Sequence, residues 1–181
     1  MKKSIALMLC FMVINLFAQE SPVGKIFPDC SGETFSGKSV SIPTDTKGKY
    51  TVLWLAFSRK AEDDMKTWLN PVYNHFIEPK SNDDVFSAAA NYDVNFYFMP
   101  LLNKLNQALG DKDKIKNKTD KEFWPYVLFF KGEVKSYIEF LSVKDKDIPY
   151  FFVLNDEGKI IHQEQGKYSE AKLTKIEDYL E

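Results

Sequence analysis

The residues that could carry covalent or redox chemistry are few: two cysteines, Cys10 and Cys30, and two histidines, His75 and His162. Thiol–disulfide exchange needs a thiolate of lowered pKa, and the usual device is a Cys-x-x-Cys pair at a helix N-terminus. Cys10 and Cys30 do not have that spacing, and the neighbours of Cys30, Asp29 and Ser31, bring no positive charge to lower its pKa. A lone thiol in an oxidising compartment cannot close a disulfide within its own chain. Two histidines without a Cys/His cluster do not make a zinc site. Asp63 and Asp64 are adjacent, so on a helix they point about 100° apart and serve a helix start better than an acid/base pair. Glu157 and Glu164 have no visible partner, and the chain has neither a Gly-rich phosphate loop nor a Gly-x-Ser-x-Gly elbow. No catalytic residue, cofactor or metal is expected, and the chain leans away from an enzyme.

The N-terminus reads as a targeting segment over residues 1–19. Lys2 and Lys3 form a positive start, Ile5 to Phe17 is mostly apolar, and Ala18 is a small residue before a polar stretch. The apolar run is shorter than the roughly 20 residues a membrane span requires. A signal peptide is expected, with Cys10 inside it, and the mature chain is expected to be secreted or periplasmic with no stable membrane span. Without Lys2 and Lys3 the balance moves from 24 basic against 26 acidic residues to 22 against 26. That small negative charge offers no field for nucleic acid. Residues 20–181 are long enough for one domain with a substantial core.

The elements are legible from periodicity. Phe27 to Pro43, with Gly32, Gly37 and the alternating Val40 and Ile42, suggests a hairpin. Tyr50 to Phe57 is nearly all apolar and suits a strand covered on both faces. Ala61 to Glu78 predicts a helix whose stripe is Met65, Trp68, Leu69, Val72 and Phe76, with a kink at Pro71. Val94 to Met99 reads as a strand ended by Pro100, and Leu101, Leu102, Leu105 and Leu109 as a short helix. Asp111 to Lys121, with five lysines against three aspartates, reads as a solvated loop. Phe123 to Leu141 is aromatic and open between helix and strand. Ile148 to Leu154 and Lys159 to Gln163 form a hairpin around Asn155-Asp156-Glu157-Gly158, and Glu170 to Leu180 is a closing helix with Leu173, Ile176 and Leu180 inward.

The order, together with Pro28-Asp29, Gly32, Gly37, Gly48-Lys49 and the run from Ile148 through Pro149 to Ile161, resembles the redoxin branch of the thioredoxin-like superfamily. The resemblance implies an α/β, three-layer sandwich: a central mixed sheet, helices on both faces, and an N-terminal hairpin, over residues 20–181. It implies a cis proline at Pro149, facing the helix start where relatives carry their cysteine pair. Counting from the preceding strand puts that pair at Ala61 and Asp64; counting back from Pro71 puts it at Asp63 and Lys66. No residue from Ser58 to Trp68 is cysteine.

A second resemblance is to the thioredoxin-like assembly factors of mitochondrial ATP synthase, which also lack the cysteines. It rests on Thr51 to Phe57, Trp68-Leu69-Asn70-Pro71, Pro100 to Leu105, Tyr150 to Leu154, the Asp156/Gly158 turn and Gly166. It departs where that family has an Arg-Trp pair and this chain has Ile161-His162. The resemblance implies a non-redox helper; its partner in that family is not carried over.

The leading expectation is therefore an exported, non-redox domain that binds an extended or assembling polypeptide in a chaperone-like way. Its peptide groove would be lined by Ile148, Pro149 and Tyr150, with Arg59 and Lys60 at the rim. The alternatives are an oxidoreductase using Cys30 with an external partner, and a structural envelope component whose aromatic content serves an interaction patch.

Overall fold

The computed structural model describes residues 20–78, 93–101, 109–130 and 132–180. The expected signal segment and most of the helix expected from Leu101 to Leu109 lie outside them. Seven strands are described: β1 (Cys30–Thr34), β2 (Ser39–Ile42), β3 (Tyr50–Ala56), β4 (Val94–Pro100), β5 (Leu128–Phe130), β6 (Tyr150–Leu154) and β7 (Ile160–Gln165). The described helices are α1 (Arg59–Lys66), α2 (Leu69–Val72), α3 (Leu109–Lys116), α4 (Val134–Phe140) and α5 (Glu170–Asp178).

The apolar run at Tyr50 becomes the centre of a mixed sheet, in the order β4-β3-β6-β7. β3 runs parallel to β4 and antiparallel to β6, with Trp54 opposite both Phe98 and Phe151. Because side chains alternate along a strand, β3 feeds two cores. Val52, Trp54 and Ala56 meet Met65 and Trp68 after the β3 end, and Leu173 and Ile176 of α5. Leu53 and Leu55 meet Val134 and Tyr137 of α4, and Cys30, Val40 and Ile42 of the hairpin. Helices thus cover both faces, and the thioredoxin-like three-layer α/β arrangement expected from the sequence is the one observed.

The N-terminal hairpin pairs as expected, with Cys30 opposite Ile42. It also gains a third strand, because β5 joins β1 to make a sheet β2-β1-β5. Gly32 is required there: a Cβ on it would lie 2.7 Å from the Phe129 carbonyl oxygen. A bridge from Phe98 to Val127 ties this sheet to β4. These pairings resolve the aromatic stretch that the sequence left open: Phe129 and Phe130 are strand, and Val134 to Phe140 is helix.

Three local expectations are corrected. The helix expected from Ala61 to Glu78 is not one kinked rod. It stops at Lys66, resumes at Leu69, and ends in a π-helical turn over Tyr73–Ile77. Pro71 falls in the first turn of α2, where its missing N–H costs nothing, so the interruption moves upstream to Thr67 and Trp68. Trp68 anchors it by donating Nε1–H to the Gly166 carbonyl at 3.0 Å. Residues of the stretch read as a solvated loop, Asp111 to Lys116, belong instead to α3; lysines are good helix formers, and charge alone did not forbid the helix. The cis proline is the third correction. The cis X-Pro bond among the described residues is Ile42–Pro43, not Ile148–Pro149. The reversal before Pro149 is built upstream, where the Asp145 carboxylate accepts the Asp147 N–H at 2.8 Å and the Tyr150 hydroxyl accepts the N–H groups of Lys144 and Asp145.

Candidate functional site

The carboxyl ends of the parallel pair β3 and β4 are where α1 begins, the position at which open α/β sheets hold ligands. Ser58 caps α1, its Oγ accepting the Ala61 N–H at 3.1 Å. The first i, i+3 pair of the helix is therefore Ser58 and Ala61, earlier than either sequence count had placed a cysteine pair. A hydroxyl and a methyl stand there.

β6 approaches the same end. Tyr150 lies opposite Leu55, and its ring meets the Phe57 ring edge-on with centroids 6.3 Å apart. Tyr150 is 2% exposed. Pro149 is buried, and its carbonyl accepts the Gly166 N–H at 2.8 Å. Ile148 is half-buried, and its backbone makes no hydrogen bond to any described residue. Arg59 and Lys60 are both exposed on α1.

The five residues read as a groove divide between two openings. Arg59 lines a cleft of about 410 Å³ with Glu62, Lys66, Ile115, Lys118 and Thr119. Tyr150 lines a different cleft of about 310 Å³ with Ser21, Ser142, Lys144, Gln163 and Gln165. Ile148, Pro149 and Lys60 line neither. Glu62 escaped sequence reasoning. It is a charged residue 3% exposed, held by Arg59 at 2.9 Å and Lys66 at 3.0 Å. The signal was present in the i, i+3 and i, i+4 spacing of those cations. Burial tends to lower the Lys66 pKa, but the Glu62 and Asp63 carboxylates outweigh it and hold it above its ordinary value.

The remaining chemistry-bearing residues are packed elsewhere. Cys30 is 1% exposed, and burial pushes its thiol up to about 12 against the opposing pull of Tyr137. The Tyr137 hydroxyl donates to the Asp29 carbonyl beside it. Asp63 and Asp64 pair with different lysines, Lys66 and Lys167. His75 Nε2 lies 3.1 Å from Glu177 Oε1. The His162 ring stacks on Tyr179, and its Nε2 is buried with no hydrogen-bond partner among the described residues. Burial holds its pKa below the ordinary value, with Glu164 opposing and Lys175 adding to the effect. Among the described residues, no group of three or more His, Cys, Asp or Glu could hold a metal ion, and no helix is long and apolar enough to cross a membrane.

No protein-family model matches the chain, and no curated protein matches it in sequence. Solved structures do match. Yeast Sco1 is 17% identical with a TM-score of 0.54, over 85% of this chain and 93% of that one. BsSco, a member of the Sco family of cytochrome c oxidase assembly proteins, is 13% identical with a TM-score of 0.54, over 88% and 94%. The exposed lipoprotein thioredoxin Etrx1 of Streptococcus pneumoniae is 15% identical with a TM-score of 0.53, over 84% and 99%. The similarity spans nearly the full length of each neighbour. With the strand order, the two-faced core and α1 at the carboxyl ends of β3 and β4, it gives this chain a thioredoxin-like fold.

Proposed function

We infer that this chain is an exported, non-redox thioredoxin-like domain that binds an extended or assembling polypeptide at the end of β6. The observation that carries this reading is the backbone of Ile148. It stands two residues before β6, with N–H and carbonyl unbound by any described residue. Backbone groups of that kind accept an extended chain as an added strand, and the contact requires no thiol. Pro149, buried and held through Gly166, fixes where those groups point. Tyr150 supports the site from beneath.

The absence of a thiol at Ser58 and Ala61, and the burial of Cys30, favour contact over electron transfer. A helper role also agrees with the likeness to BsSco, whose own family is one of assembly proteins.

The test places a photo-crosslinking residue at Ile148 in the mature chain and, as a control, at the exposed Lys135. Reduced, carboxymethylated lactalbumin is the unfolded probe. Capture at position 148 above that at 135, with insulin reduction at background, is the expected result. Equal capture at the two positions overturns the groove.

A further inference from the structure

The cleft beside α1 is a second candidate site, independent of the Ile148 backbone. Its walls come from the first two turns of α1 and from Ile115, Lys118 and Thr119. Its hydrogen-bonding inventory is unbalanced. Both oxygens of the buried Glu62 are occupied, Oε2 by Arg59 and Oε1 by Lys66. Lys66 also holds Asp63 at 3.1 Å. The acids of the cleft are thus engaged by cations of the same helix. The donors are in surplus. Arg59 spends one nitrogen on Glu62, and its other N–H groups bond no described residue. Lys118, on the opposite wall, makes no ion pair with a described residue. A buried carboxylate that fixes two flanking cations, faced by a lysine with no ion-pair partner among the described residues, is a preorganised receptor for negative charge.

The floor is apolar. A crevice of about 30 Å³, lined by Met65, Leu69, Phe98 and Val127, adjoins the cleft through Glu62, Lys66, Ile115 and Thr119. That space suits a small alkyl group rather than a long chain. The adjoining strand end, Phe98 to Pro100 of β4, sits at the carboxyl edge of the parallel pair, where ligands of such sheets collect.

We propose that the cleft binds a small organic carboxylate, its head group between Arg59 and Lys118 and its short apolar end over the Met65–Phe98 crevice. The ligand class follows from the donor surplus above and the limited apolar space below. Lys60, on the same helix but outside the cleft, takes no part.

The test is titration of the mature protein with sodium butyrate, followed through its backbone amide NMR signals, against sodium chloride at equal ionic strength and against inorganic phosphate. Saturable shifts at Ile115, Lys118 and Thr119 with butyrate are expected. Arg59→Ala and Lys118→Ala should each weaken binding about tenfold, the scale of one charge-assisted contact. Lys60→Ala should leave it unchanged. All three side chains are exposed, so thermal unfolding checks that each variant remains folded. The proposal is overturned if butyrate gives no saturable shifts, if both cleft variants bind as the parent does, or if phosphate or chloride reproduces the butyrate response.

Discussion

The Ser58 hydroxyl accepts the Ala61 backbone N–H at 3.1 Å. This single contact occupies the first i, i+3 pair of α1, where a thiol pair would draw on the helix dipole. The helix start is kept, and neither residue of that pair carries a thiol. Ser58→Ala should destabilise the domain by about 1 kcal/mol, the ordinary value of an N-cap. Ser58→Asp should recover most of that loss. Urea unfolding of the three proteins checks it, and an alanine variant as stable as the parent would remove the cap from the account.

Cys30 should be inert in the folded protein. A thiol raised to about 12 by burial is protonated at pH 8, and the thiolate is the reactive form. Labelling by a chromogenic disulfide should be slow in buffer and complete in denaturant, at a rate set by opening of the hairpin against α4. Rapid labelling of the native protein would revive an oxidoreductase reading built on Cys30.

His162 should make the domain sensitive to mild acid. Its folded pKa lies below the ordinary 6.5, chiefly through burial. Between those two values the unfolded chain binds the proton that the folded chain refuses. The stability His162 contributes is therefore present above pH 6.5 and is lost as pH falls through the folded value. His162→Gln, which does not titrate, should show a smaller drop in thermal midpoint from pH 7 to pH 5 than the parent. Identical drops would assign the acid sensitivity to carboxylates alone.

Trp68 should tie the α1–α2 break to the chain after β7. It is fully buried, packs at a tilt against the Phe151 ring with centroids 5.0 Å apart, and donates to Gly166. Trp68→Phe should cost about 1–3 kcal/mol, because the carbonyl it served is left with an unmet acceptor. Trp68→Ala should cost more, on the order of 3–5 kcal/mol, because a cavity is added. Equilibrium unfolding separates the two: a Trp68→Phe variant as stable as the parent would mean that the hydrogen bond contributes nothing, and equal losses in both variants would mean that the cavity adds nothing.

Gly158 should not tolerate a side chain. Its φ is +84°, and a Cβ there would lie 2.3 Å from the Pro43 Cβ. Gly158→Ala should destabilise by more than the roughly 1 kcal/mol cost of left-handed backbone alone. Gly37→Ala shares the positive φ but meets open space, so it isolates the backbone cost. Thermal unfolding of both variants should rank Gly158→Ala clearly lower.

What the chain determined by itself is what depends on local period and on residue inventory. The run from Tyr50 to Phe57 fits a strand covered on both faces, and Thr51 to Ala56 are buried in β3. Leu173 and Ile176 could only face inward from a closing helix. The lack of cysteine from Ser58 to Trp68 removed the redox pair before any coordinate was known. Tertiary structure decided whatever depends on residues distant in sequence. β5 reads as a strand only because Gly32 leaves room for the Phe129 carbonyl. The helix breaks at Thr67–Trp68 rather than Pro71 because Gly166, 98 positions away, supplies the acceptor for Trp68. Arg59 and Tyr150, joined in one groove by sequence reasoning, line separate clefts, because pairing in the sheet fixes where each strand end lies. Helix and strand periods report which face of an element is buried; they carry no information on which distant backbone or charge it will meet there.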